Sequence, residues 1–262
     1  YLLSKITGKI VSNIVGGVQQ RPISCVGKCV PNRSADVFER TIKNSPIKEI
    51  KGIPVEIVGD VSQDFIKKIS KQIDNFPQRW LDLFKGNDYK IVLSKNITDA
   101  YKAKGVRSSL VKQSEKINPN GLLGVTHHNE QSRLFNFFCF CDKPPLSDIY
   151  MQNIVNHEFG HGLCNIKKLD SDLNFRQALI DDLGEIQTQK KLDSLSESER
   201  KLVSHYFFNK KAYLSVDEII ADLFAWQQKG GGCYGTTLIL DKENKNLMPY
   251  LFPNLNEAIS NL

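Results

Sequence analysis

The feature that most constrains this 262-residue chain is the segment of residues 147–163, in which a helical pattern carries the motif H-E-x-x-H. Ser147 is a typical helix N-cap, and the apolar residues that follow it recur at helical spacing. His157 and His161 are four residues apart, so they share one face of the predicted helix. The fold must therefore direct this polar face toward a site.

The residue types on that face predict a metal centre. Two imidazoles one helical turn apart can bind a zinc ion at about 2.0–2.1 Å. Glu158 would then stand over the open side of the metal, where a carboxylate can take a proton from a water molecule that attacks a carbonyl carbon. The spacing predicts His157 and His161 as zinc ligands and Glu158 as the general base. The alternative is a pair of surface histidines on a helix.

A catalytic zinc site of this kind needs a third protein ligand. The metzincin pattern is excluded, because it needs Gly and His where this chain has Cys164 and Lys167. Residues 215–224 predict a second helix, on which Glu218 and Asp222 share a face. We predict that Glu218 is the third ligand and that Asp222 accepts the other ring N–H of a ligating histidine.

Two alternatives to Glu218 as a ligand remain open in the sequence. Ser215 and Glu218 also fit a capping box, in which the Glu218 carboxylate would bond the backbone at the start of its helix. Other acidic residues downstream of the motif are possible ligands in its place: Asp170, Asp172, Asp181, Asp182 and Glu185.

The chain ahead of the motif predicts a small sheet. Residues 53–58, 89–93, 122–127 and 134–140 have the composition of strands, and the last two are expected to be neighbours joined through the turn at residues 128–133. A helix is expected between the first two strands. The order of these elements is that of an α+β domain rather than of a regular α/β repeat.

Helices and loops complete the predicted fold. Ser62 predicts the start of a helix with apolar residues up to residue 73, and Pro77 should end or kink it before the apolar residues 80–84. The residues after the second strand, up to Gly121, are interpreted as a polar loop. We expect a small mixed sheet and the motif helix in an N-terminal lobe, followed by a mainly helical C-terminal lobe.

The first 45 residues predict an extension ahead of the catalytic domain. Residues 1–20 carry an amphipathic helical pattern, which we expect to pack on the protein rather than on a membrane surface. The stretch that follows contains several prolines and the cysteines Cys25 and Cys29, and it predicts a connecting segment. We place the boundary near residue 46, so that residues 46–262 form the catalytic domain.

Composition limits the classes of partner. The chain has 35 Lys and Arg against 29 Asp and Glu, a net charge of +6, but these charges are scattered, so no nucleic-acid partner is expected. No apolar run approaches the roughly 18–20 residues that span a bilayer. Six cysteines are too few for a disulfide scaffold in a chain of this length, and reduced thiols are expected.

The motif H-E-F-G-H, together with E-x-x-A-D-x-F at residues 218–224, resembles the gluzincin metallopeptidases. Among them it is most similar to the family of the anthrax lethal factor catalytic domain and the Pro-Pro endopeptidases. The resemblance covers roughly residues 50–225, and only its two metal segments are specific. It implies a zincin-like fold, zinc-dependent endopeptidase activity, and the same three ligands and base as the spacing predicts.

The resemblance also implies a tyrosine that stabilises the oxyanion. In the family this tyrosine lies seven residues before the ligand glutamate, where this chain has Lys211. Tyr213, five residues before Glu218, is our candidate for the role, and Tyr206 and His205 are alternatives. A buried structural tyrosine is the competing interpretation of either position.

The family further implies how a substrate binds and where the protein acts. The strand before the metal helix holds an extended peptide in related enzymes, which predicts this role for residues 122–126. His127 and His128 are adjacent on this strand and face opposite sides, so we assign neither to zinc. The resemblance implies a toxin or effector that is secreted or delivered into a host cell. The alternative is a zinc-binding or vestigial domain that binds a partner without cutting it, and retention of Glu158 argues against this alternative.

Overall fold

The computed structural model describes residues 48–116, 123–129, 136–143, 147–184, 193–197, 216–228 and 248–262. The predicted extension of residues 1–45, with Cys25 and Cys29, lies outside the described residues, so the boundary near residue 46 stays a prediction. Among the helices that are described, none is both long and apolar enough to cross a membrane.

The described chain is α+β, as the sequence predicts. Its strands are β1 (Glu49–Ile50), β2 (Ile53–Val58), β3 (Lys90–Ser94), β4 (Gly124–His127) and β5 (Phe137–Cys141). Its helices are α1 (Gln63–Asp74), α2 (Gln78–Gly86), α3 (Ile97–Ala103), α4 (Ser108–Lys116), α5 (Asp148–Lys167), α6 (Leu173–Leu183), α7 (Val216–Gln228), α8 (Met248–Leu251) and α9 (Pro253–Ser260). All described elements after β5 are helices.

The strands form one mixed sheet in the order β1-β2-β3-β5-β4. β2, β3 and β5 run parallel to one another, whereas β1 and β4 pair antiparallel with their neighbours. The predicted pairing of the two strands before the motif helix is confirmed, with Val125 opposite Cys139. Within the described part of the chain, β4 is an edge strand.

The two faces of the sheet contact two separate apolar cores, because successive strand residues point to opposite sides. Phe138 and Phe140 of β5 face the larger core, which α1, α2 and α5 cover. Phe137, Cys139 and Cys141 face a smaller core that includes residues of α3 and α4. Both cysteines are buried and free.

Local sequence signals explain several of these elements. The Ser62 side chain accepts a hydrogen bond from the Phe65 backbone N–H and caps α1, as predicted. The predicted break at Pro77 is also confirmed, because α1 ends at Asp74 and Pro77 stands at the N-cap of α2. The prediction of a loop after β3 is wrong, because α3 and α4 lie there. Asn96 caps α3 through its side chain. Both helices are short, and they are stable only because their few apolar residues pack on the smaller core.

The motif helix α5 begins at its predicted cap and continues beyond its predicted end near residue 163. Ser147 accepts from the Tyr150 backbone N–H, and the helix ends at Lys168 in the left-handed conformation. Phe159, inside the motif, is fully buried, with its ring centroid 4.7 Å from that of Phe138 and 4.8 Å from that of Phe76. Packing of this ring fixes the rotation of α5 and turns the motif histidines away from the larger core.

Candidate metal centre

His157 and His161 lie side by side on α5. Their Nε2 atoms are 3.1 Å apart and their rings are nearly perpendicular, at 85°. His157 is only 4% exposed, and the side chain of His161 is 13% exposed. Two nitrogens on largely desolvated rings therefore converge on one point, as the four-residue spacing predicts.

Helix α7 brings Glu218 to the same point. Its Oε2 lies 3.2 Å from Nε2 of His157 and 3.4 Å from Nε2 of His161. These three ligand atoms all lie within 4.8 Å of one another, so the residues form a group that could hold a metal ion. The Glu218 carboxylate faces the histidines, and its capping-box partner Ser215 lies outside the described residues.

Close contact between α5 and α7 makes this convergence possible. A Cβ added to Gly160 would lie 2.7 Å from the Cα of Ala221 and 3.0 Å from its carbonyl oxygen. Only a glycine at position 160 lets the two helices approach this closely. Ala221 follows Glu218 by three residues and precedes Asp222 directly, so the contact sets where both carboxylates lie relative to the histidines.

Asp222 holds the far side of the His157 ring. Its Oδ1 lies 2.7 Å from His157 Nδ1, in a contact that is buried on both sides. The equivalent position on His161 is less constrained, since Asp217 Oδ2 is 3.8 Å from His161 Nδ1, beyond hydrogen-bond distance. A carboxylate on Nδ1 holds a proton there, so Nε2 is the His157 nitrogen that can bind a metal.

The charges in the cluster stabilise one another. Burial by itself lowers the pKa of His157, but the hydrogen bonds that its ring donates to the Asp222 and Glu218 carboxylates outweigh burial and raise the pKa well above its usual value. Burial likewise lowers the pKa of His161, and Glu218 reverses this effect. The pKa of Glu218, which burial raises, is held far below its usual range by the two histidines. The cluster is thus suited to a positive charge between the rings and the carboxylate.

Glu158 points from α5 toward the edge strand β4. Its Oε2 lies 2.7 Å from the hydroxyl of Thr126, and the same hydroxyl is 2.8 Å from the Glu158 carbonyl oxygen. A Cβ on Gly124 would lie 2.8 Å from both Cγ and Oε1 of Glu158. From the sequence these two strand residues are predicted only as part of the peptide-binding strand 122–126, with no contact to Glu158, and Gly160 has no predicted role of its own.

The other acidic candidates have structural roles or lie elsewhere. Asp182 accepts hydrogen bonds from the backbone N–H groups of Asn254 and Leu255 at the start of α9. Asp172 caps α6. Asp181 accepts from Gln177, Asp170 is not part of the group, and Glu185 lies outside the described residues.

Among the described residues, the group that could hold a metal ion does not include His127 or His128. Tyr213, Tyr206 and His205 lie outside the described residues, so the oxyanion role stays a prediction. The His127 ring stacks on Phe137 of the smaller core, and burial and nearby positive groups lower its pKa. His128 Nδ1 lies 3.0 Å from the Tyr89 hydroxyl, on the other side of the sheet.

Comparison with solved structures gives a distant similarity, at low sequence identity. No family model matches the sequence, and no curated protein matches it. The chain is similar to the solved structure of a Pro-Pro endopeptidase from Paenibacillus alvei, with a TM-score of 0.43 and 12% sequence identity. The match covers 79% of this chain and 96% of that chain.

Proposed function

We propose that the protein is a zinc-dependent endopeptidase with a zincin-like fold. In this proposal His157, His161 and Glu218 bind zinc, Glu158 is the general base, and Asp222 orients His157. The substrate is a protein or peptide bound in an extended form. The observation that carries the proposal is the convergence of two imidazole nitrogens and one carboxylate oxygen from two helices on a single point.

The distances between the three ligand atoms favour zinc. Ligand atoms at about 2.0–2.1 Å from a tetrahedral zinc ion are roughly 3.3–3.4 Å from one another. The three donor distances here are 3.1, 3.2 and 3.4 Å. Two imidazoles and one carboxylate are also the donor set of catalytic zinc sites that keep a fourth position open. The residues present therefore fit the metal that the sequence motif predicts.

Each residue of the site has its own role in the proposed reaction. When bound, zinc would act as a Lewis acid, which makes a water molecule more acidic and polarises a carbonyl group. Glu158, 7% exposed and one residue after His157, accepts the proton of the attacking water and returns it to the leaving amine. Asp222 keeps the His157 proton on Nδ1, which fixes the ring that faces the metal. Tyr213 remains the candidate donor to the oxyanion.

The edge strand β4 offers a place for an extended substrate. It pairs with β5 on one side, and its residues Gly124 and Thr126 contact Glu158. A peptide added to an edge strand gains main-chain hydrogen bonds and lies parallel to the sheet. Such a peptide on β4 would pass beside the proposed base. Secretion, delivery into a host cell and a toxin role stay predictions from the sequence resemblance.

The activity is tested with a random peptide library and mass spectrometry of the products. We expect the full chain to cleave the library when supplied with zinc and to lose cleavage when a chelator removes the metal. Glu158→Gln should keep one zinc per chain and lower kcat by about 10²–10⁴-fold, because only the base is changed. Glu115→Gln, at an exposed carboxylate paired with Lys102, is the matched control and should leave cleavage unchanged.

Two results would overturn the assignment. One is full cleavage by Glu158→Gln, and the other is the lack of any zinc binding by the wild-type protein. Zinc bound at one equivalent with no cleavage of any peptide, together with a stable uncut complex formed equally by wild type and Glu158→Gln, would favour the non-cleaving interaction domain.

A further inference from the structure

We infer, building on the proposed function, that Gly124 and Thr126 of β4 are positioning residues that together hold the Glu158 carboxylate in its working orientation. The two residues alternate along the strand, so both point to the side of the sheet on which α5 lies. Val125, between them, packs on the opposite side with the smaller core. The face of β4 that points toward α5 therefore contacts the Glu158 side chain.

Thr126 supplies the directional part of this contact. Its hydroxyl has one proton and two acceptors within reach, Oε2 of Glu158 at 2.7 Å and the Glu158 carbonyl oxygen at 2.8 Å. A hydrogen bond to a carboxylate is short and about twice as strong as one between neutral groups. Binding Oε2 in this way fixes the side-chain rotamer and leaves Oε1 to accept the proton of the attacking water.

Gly124 supplies the space. The volume that a side chain would occupy at this position is filled by Glu158 Cγ and Oε1, each 2.8 Å from the position of an added Cβ, and by Ile154 Cγ2 at 2.9 Å. Contacts below 3.0 Å cannot be kept, so an alanine here must displace the base or the helix that carries it. The φ of Gly124 is not in the left-handed region, so alanine introduces this contact without backbone strain.

The hydroxyl is tested by three threonine variants. Thr126→Val keeps the shape of the side chain and removes the hydrogen bond, and we expect kcat to fall by roughly 10- to 100-fold while KM and zinc content stay close to wild type. Thr126→Ser keeps the hydroxyl and should restore most of kcat. Thr98→Val is the matched control, because it removes a buried hydroxyl that contacts Ser114 on the other side of the sheet, and it should leave kcat unchanged.

The contact is also tested without activity, by a double-mutant cycle of unfolding on metal-free protein. Thr126→Val and Glu158→Ala each remove one partner of the hydrogen bond, and they should be coupled by a factor of at least about two in the unfolding equilibrium constant, the lower end for residues in contact. Gly124→Ala should lower kcat with zinc retained. Additive effects in the cycle, together with wild-type kcat in Thr126→Val, would overturn the inference while the peptidase proposal stands. If the wild type cleaves nothing, the proposed function fails, and the cycle alone decides whether the contact holds Glu158.

Discussion

His157 is held from both sides of its ring. Asp222 contacts Nδ1 at 2.7 Å, and the opposite nitrogen, Nε2, faces Glu218 at 3.2 Å. Both His157 and Asp222 are only 4% exposed, so neither side chain can turn toward solvent at low cost. The orientation of the ring is therefore built into the contact between α5 and α7.

Replacing Asp222 tests this arrangement. In Asp222→Asn the amide cannot supply the charge of the carboxylate, and we expect zinc to bind about 10- to 100-fold more weakly. Competition with a chromophoric chelator measures the affinity. Asp217→Asn is the control, since its carboxylate is 3.8 Å from His161 Nδ1 and its loss should change the affinity far less. Equal effects of the two variants would contradict the role of Asp222.

Some of these residue roles can be predicted from the sequence, and others cannot. His157, Glu158 and His161 form one local motif, and Asp222 follows Glu218 by one helical turn, so fixed spacings predict both sets. Thr126 lies 32 residues before Glu158 and contacts it only because the folded chain places β4 beside α5. No local pattern distinguishes this threonine from any other strand threonine, and tertiary contact alone gives it a role.

The contact between α5 and α7 is the element on which the site depends. Gly160 lets the backbone of Ala221 approach, and the two carboxylates of α7 meet the two rings of α5 on either side of this contact. A side chain at position 160 would push the helices apart. Any such shift changes the distance from Glu218 to both histidines at once.

We expect Gly160→Ala to lower the free energy of unfolding by about 1–3 kcal/mol, the usual effect of overpacking. Zinc affinity should fall as well, because Glu218 and Asp222 move with α7. The control is Gly86→Ala at the end of α2, where a Cβ meets nothing within 4 Å, and which should be neutral or slightly stabilising. Urea unfolding and zinc titration measure the two effects. Normal zinc affinity in Gly160→Ala would contradict the account.

Predictability at the level of elements follows the strength of the local signals. Ser62 and Pro77 mark the starts of α1 and α2, and the apolar run of β5 marks a strand that is buried on both faces. α3 has a local signal only in its Asn96 cap, and both α3 and α4 are short helices whose stabilising side chains meet the sheet only in the folded chain. The same holds for β1, which is two residues long.

At the scale of the whole molecule, a cluster of charged side chains connects the sheet to the end of α3, on the side of the smaller core. Glu56 of β2 binds Lys90 of β3 through Oε1 at 3.0 Å and Lys104, just after α3, through Oε2 at 2.7 Å. Burial by itself raises the pKa of Glu56, but the two lysines outweigh it and the pKa is lowered. The ionised cluster therefore stabilises the folded state at neutral pH.

The lowered pKa of Glu56 determines how the stability of the fold depends on pH. A folded-state pKa below the unfolded value of 4.5 gives stability that is fully present above pH 4.5 and is lost as the pH falls through the folded-state pKa. We expect Glu56→Gln to cost about 2 kcal/mol at pH 7, and this difference from wild type should shrink below pH 4.5. Urea unfolding across this range measures it. Glu257→Gln, at an exposed position on α9, should show no such change, and a difference for Glu56→Gln that grows in acid would contradict the assignment.

The central claim is that one zinc ion joins α5 to α7. The most direct measurement is an anomalous difference map from crystals of the zinc-loaded protein, with data collected at the zinc absorption edge. We predict a single strong peak at about 2.0–2.2 Å from Nε2 of His157, Nε2 of His161 and a carboxylate oxygen of Glu218. A map with no peak between these three side chains, or with Glu218 turned away from a metal that only the histidines hold, would contradict the account.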